Sequence, residues 1–323
     1  MNIDELAKGI VAGERRALAR GITLVESSRE DHRAQATALL AALPKDREAM
    51  RIGLSGTPGV GKSTFIESLG MMLVGRGLRV AVLAIDPSSS RSGGSILGDK
   101  TRMDLLSREK AAFIRPSPSQ THLGGVARRT REAVSLCEAA GFDVVLIETV
   151  GVGQSETVVA EMSDLFLLLL APAGGDELQG VKRGIMEMAD IIVVNKADGD
   201  LKAAASRTCA DYSGALRLLR KRPQDPDGFP KAMTVSALQE DGLSEAWDEV
   251  QTLIDWRRAN SFWERTRASQ ARYWFEQSVK HELLAQLEAP KAKAALKALG
   301  DRVAKGMEDP TKAAQDFVLQ LDR

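Results

Sequence analysis

"GTPGVGKST", residues 56–64, places three glycines, a lysine and three hydroxyl side chains within nine residues. Gly56, Gly61, Lys62 and Ser63 satisfy the spacing G-x-x-x-x-G-K-[ST], with Pro58, Gly59, Val60 and Thr64 filling out the loop. Glycine lets consecutive backbone N–H groups turn inward around an anion, and the positive end of a following helix adds to the attraction. The pattern therefore predicts a phosphate-binding loop, with Lys62 reaching the β- and γ-phosphates and Ser63 a ligand of Mg²⁺. "RIGLSG" in front of the loop reads as a strand, and "KSTFIESLGMMLVGRG" behind it reads as a helix ending near Gly75 or Gly77.

Outward from the loop, short runs rich in branched apolar residues alternate with helical stretches from residue 51 to about 240. The runs are "RIGLSG", "RVAVLAID", "AAFIRPS", "DVVLIET", "DLFLLLLAP", "DIIVVNKAD" and "KAMTVSAL". This rhythm predicts an α/β fold, a doubly wound and mostly parallel sheet with helices on both faces. Residues 1–48 carry helical periodicity, with Ile3, Leu6, Ala7 and Ile10 on one face and "ATALLAALP" closing a second helix, and read as an N-terminal helical extension. The P-loop domain is expected over 49–245. All four tryptophans (Trp247, Trp256, Trp263, Trp274) fall in 246–323, which reads as a C-terminal helical dimerisation region.

The 323 residues hold 44 basic and 44 acidic side chains, so no net field draws the chain to nucleic acid or to an anionic membrane. The two cysteines, Cys137 and Cys209, form no C-x-x-C, which argues against a disulfide framework or a thiolate metal site and fits a cytoplasmic setting. The most apolar run, "LFLLLLAPA" at 165–173, is too short to span a bilayer.

The base of the nucleotide is read from "VVNKAD". Asn195, Lys196 and Asp198 form N-K-x-D after a buried strand. An aspartate there accepts from guanine N1–H and the exocyclic amine, two donors that adenine lacks on that edge, while Asn195 holds the purine and Lys196 stacks along it. "SAL", Ser236, Ala237 and Leu238, is expected to complete the pocket through its backbone. Asp86 ends "RVAVLAID" and Glu148 ends "DVVLIET". Acidic groups at the C-terminal ends of strands in a doubly wound sheet point into the ligand crevice, so both are candidate Mg²⁺ ligands with Ser63. Asp99 is a third candidate carboxylate, and the N–H of Gly151 in "GVGQSE" a candidate donor to the γ-phosphate.

The segments "GTPGVGKSTFIE", "AIDPSSSRSGGSILGDKTRM", "ETVGVGQSE", "APAGGDELQGVKRGIMEMAD" and "VVNKADGD" together resemble the MeaB, MMAA and ArgK-type GTPases, a cobalamin-chaperone branch of the P-loop GTPases. The resemblance implies GTP hydrolysis coupled to methylmalonyl-CoA mutase or a related B12-dependent acyl-CoA mutase, with adenosylcobalamin carried by that partner rather than by this chain. It implies Lys62 on phosphate, Ser63, Asp86, Asp99 and Glu148 around Mg²⁺, Asn195 and Asp198 on guanine, and "GGDELQGVK" as a partner-responsive switch. Lys182 in that switch is the candidate cation for stabilising the transition state. Two other functions compete: an ArgK-type kinase of an amino-acid transport system, opposed by N-K-x-D, and a nickel-delivery GTPase, for which three scattered histidines (His32, His122, His281) are a poor ligand set.

Overall fold

The computed structural model describes residues 2–86, 103–118, 123–149, 155–172, 183–287 and 289–321. Seven strands form one sheet: β1 (Met50–Gly56), β2 (Val80–Asp86), β3 (Ala112–Pro118), β4 (Val144–Thr149), β5 (Leu165–Leu170), β6 (Ile191–Val194) and β7 (Lys231–Thr234). Their order is β3-β2-β4-β1-β5-β6-β7, and every pairing is parallel. All seven expected runs are strands. Those of β4, β5 and β6 are buried along their whole length, as strands covered on both faces must be. "LFLLLL" is built from a strong helix former, yet six residues between two neighbouring strands leave it no option but the ladder.

Alternation along the strands sends side chains to two layers. Ile52, Leu54, Val82, Leu146, Leu167 and Val193 pack with Phe65, Ile66, Leu69 and Leu73 of α4 (Lys62–Gly75). The same cluster takes in Leu243, Ala246, Trp247, Val250, Leu253 and Ile254 of a later helix, Leu243–Ala259. The opposite face is covered by α6 (Leu123–Ala139), α7 (Ser155–Met162) and α9 (Lys202–Arg217); the short α5 (Asp104–Arg108) packs against α4 and β3, and the short α8 (Arg183–Met188) against α7 and β5.

The N-terminal extension contains three helices rather than two: α1 (Ile3–Val11), α2 (Arg15–Glu26) and α3 (Glu30–Ala42). Ser27 is extended and accepts a hydrogen bond from Arg29 N (3.3 Å), which breaks the helical run. The three pack on one another and on α6. Arg33 makes a two-pronged bond to the buried Glu132 of α6 (2.9 and 2.6 Å), which fixes the extension laterally.

The chain divides into two units, residues 1–270 and 271–323. The helix Leu243–Ala259, here α10, belongs wholly to the first, and α11 (Phe262–Gln286) runs from the first into the second. Of the four tryptophans, Trp247 and Trp263 lie in the core of the first unit, and Trp256 stacks on Phe262 (centroids 5.3 Å apart). The second unit continues with α12 (Pro290–Ala304) and α13 (Pro310–Leu321). Phe275, Leu283, Leu284, Met307 and Leu319 of this unit are exposed. Among the described residues no helix is long and apolar enough to cross a membrane.

Candidate functional site

The glycine loop joins β1 to α4, at the C-terminal end of the central strand. Gly56 has to be glycine because a Cβ there would meet the Leu169 carbonyl oxygen of β5 at 2.3 Å. Gly61 sits at φ +88°, where a Cβ would lie 2.7 Å from Asn195 Nδ2. No side chain caps the first turn of α4, so the loop and the helix start offer their amides and the helix dipole to an anion.

Lys62, first residue of α4, is buried, and its ammonium donates to the carbonyls of Gly56 (2.7 Å) and Thr57 (3.3 Å). Burial pushes its pKa down, opposed by the carboxylates of Glu148 and Glu156. Glu148 is itself buried, in register with Leu54 of β1 and Ala84 of β2. Position 86 stands two residues beyond Ala84, so the backbone brings the ends of β2 and β4 to the same edge of the crevice. Ser63 follows Lys62 in the first turn of α4. These donors are oxygens, the chemistry Mg²⁺ selects. Asp99, Gly151 and Lys182 lie outside the described residues, as does the whole of "GGDELQGVK".

The base motif is tied into the same loop. Asn195 follows β6, and its Nδ2 donates to Val60 O at 2.9 Å while its Oδ1 accepts from Ala237 N at 3.0 Å. Lys196, at φ +58°, donates from Nζ to Gly59 O at 2.7 Å. The Asp198 carboxylate accepts a short hydrogen bond from the Ser236 hydroxyl, which in turn accepts from Gln239 N at 3.1 Å. Ala237 O accepts from Ser68 of α4 at 2.7 Å, and Leu238 is exposed. These hydrogen bonds join the segments 56–64, 195–198 and 236–238 to one another.

Two members of this arrangement had no signal in the sequence. The Ser236 side chain, and not only its backbone, addresses Asp198, and Glu156 in the first turn of α7 adds a second buried carboxylate to the surroundings of Lys62.

Residues 18–292 match the model of the family described as methylmalonyl Co-A mutase-associated GTPase MeaB. The chain belongs to the MeaB family. A mouse MeaB relative, named methylmalonic aciduria type A homolog, mitochondrial, is 47% identical over 330 residues, spanning 98% of this chain and 79% of its own. The GTPase ArgK of Escherichia coli is 49% identical over 278 residues, 86% of this chain and 83% of its own. Among solved structures, one described as a LAO/AO transport system kinase superposes with a TM-score of 0.75 at 36% identity, covering 99% and 98% of the two chains. This MeaB family member is therefore a P-loop GTPase by descent and by fold.

The Gly61→Ala substitution tests the junction between loop and base motif. A left-handed backbone and a Cβ against Asn195 cost roughly 1–3 kcal/mol in the folded protein, so the melting temperature should fall by several degrees and, because the loop amides are displaced, GTP affinity should fall about 10- to 100-fold. Calorimetric titration against GTP, beside a thermal melt, reads both; wild-type affinity would show that the loop can shift without loss.

Proposed function

We propose that the protein hydrolyses GTP with Mg²⁺, slowly by itself and faster when bound to a B12-dependent acyl-CoA mutase of the methylmalonyl-CoA mutase type. In that complex it gates delivery of adenosylcobalamin, which the partner carries, and protects the mutase. What supports this reading is Asp198, hydrogen-bonded by Ser236, in a base motif whose Asn195 is bonded to the phosphate loop, in a chain of the MeaB family. An acceptor carboxylate at that position disfavours adenine, which weighs against an ATP-dependent transport kinase.

Lys62 would neutralise phosphate charge, and Ser63, Asp86, Asp99 and Glu148 would hold the metal, which lowers the energy of the charge developing on the transferred phosphoryl group. Gly151 N–H would meet the γ-phosphate. Lys182 would enter late, when partner binding rearranges its loop, in the manner of an arginine finger. Single-turnover hydrolysis with and without a cognate mutase is the test. Lys182→Ala should keep GTP affinity and basal turnover but lose the stimulation. Equal stimulation of variant and wild type would refute that role, and no stimulation of wild type would refute the mutase reading.

The assembly proposed is a cytoplasmic homodimer formed through the second unit, whose exposed apolar side chains are numerous for a region of its size. Paired Phe275→Glu and Leu283→Glu substitutions should convert a dimer to a monomer in sedimentation. A monomeric wild-type chain would exclude the dimer.

A further inference from the structure

The candidate nucleotide site leaves one edge of the sheet unused. Among the described residues β7 ends the strand order and pairs only with β6. Lys231 N and Val235 N donate to Asp190 O and Val194 O across that pair, so the alternation of a parallel ladder turns the N–H groups of Ala232 and Thr234 outward. Ala232 lines a cleft of about 360 Å³ between β7, the C-terminal end of α9 and the segment that joins them.

The cleft is strongly cationic in a chain whose total charge is zero. Its lining includes Arg217, Arg220, Lys221 and Lys231 against one acid, Asp227. Lys221 pairs with Asp227, and Lys231 pairs with Glu249 and lies over the Phe229 ring at 4.4 Å. Arg217 and Arg220 make no ion pair or hydrogen bond among the described residues. Beside them Leu218, the C-cap of α9, is 88% exposed. An open strand edge supplies main-chain pairing, two unengaged guanidiniums supply charge selection, and a bare leucine supplies an apolar contact.

We infer that this edge receives an acidic, extended segment of a partner polypeptide, which pairs with β7 as an eighth strand and sets its carboxylates against Arg217 and Arg220. An unpaired cation on the strand itself would guard the edge against pairing; the strand's own Lys231 is held by Glu249 and lies over the Phe229 ring, and both free arginines stand beside the strand, on α9 and the segment after it, leaving the backbone reachable.

The test uses the full-length protein and a fluorescein-labelled decapeptide of alternating Glu and Val, followed by anisotropy, with alternating Lys and Val as the control. The Glu peptide should bind, weaken as salt rises, and slow amide exchange at Ala232 and Thr234. The double variant Arg217→Glu, Arg220→Glu should bind it at least about 10-fold more weakly while its GTP affinity stays at the wild-type value. The inference is overturned if the variant binds the peptide equally, if protection appears elsewhere than at β7, or if phosphatidylserine vesicles bind through these arginines and the peptide does not.

Discussion

Asp198→Asn is expected to exchange guanine for xanthine preference, with GTP affinity falling about 10³-fold and XTP affinity rising correspondingly. The carboxylate accepts where guanine presents N1–H and an amine; an amide nitrogen there repels both and suits the C2 carbonyl of xanthine. The surroundings decide which way the new amide would point. Ser236 Oγ already accepts from Gln239 N, so its own proton goes to residue 198. In the variant that proton would go to the amide oxygen, turning the NH₂ toward the base. Titration of wild type and variant with both nucleotides measures the exchange, and retention of wild-type GTP affinity by the variant would mean that the base sits elsewhere.

Arg257→Ala is expected to lower folding stability by about 3–5 kcal/mol, a large share of the 5–15 kcal/mol typical of a native protein. Arg257, on α10, is 7% exposed. It donates to Asp190 Oδ1 (2.6 Å), Asp225 Oδ1 (2.8 Å) and the Asp164 carbonyl (2.6 Å). Asp190 also accepts from Phe166 N (2.8 Å) and Arg222 (2.7 Å), so the cluster joins the starts of β5 and β6 to α10 and to the segment before β7. Removing Arg257 would leave two buried carboxylates with Arg222 as their shared counter-charge. Urea unfolding of both proteins, with GTP binding as a check on the folded fraction, gives the number. A loss below about 1 kcal/mol would mean that water or backbone rearrangement replaces the guanidinium.

The strands, the phosphate loop and N-K-x-D were legible because each is local. A parallel strand buried on both faces writes itself as an unbroken apolar run, and the two motifs need fixed residue types within eight and four positions. Two of the tryptophans, Trp247 and Trp263, go to the core of the first unit rather than to the tail. Leu243, Ala246, Trp247, Val250 and Ile254 recur at helical spacing, which is the signature of a stripe facing a sheet, and the aromatic ring alone suggested an interface. The Arg257 cluster joins residues 32 to 93 positions apart, and neither periodicity nor motif carries pairings at that range. The Ser236 hydroxyl was missed for a related reason: a backbone turn and a side-chain bond to Asp198 leave the same three letters, S-A-L.

Asn195 holds Val60 of the phosphate loop with one end of its amide and Ala237 of the expected base pocket with the other. The two halves of a nucleotide would consequently be linked thermodynamically through a single side chain. Whatever steadies the amide from the guanine side also steadies the carbonyl of Val60, so guanosine and pyrophosphate added as separate molecules should each tighten the other's binding, by the same factor in both directions. Mononucleotide recognition would then be a cooperative event between two fragments that happen to arrive covalently joined.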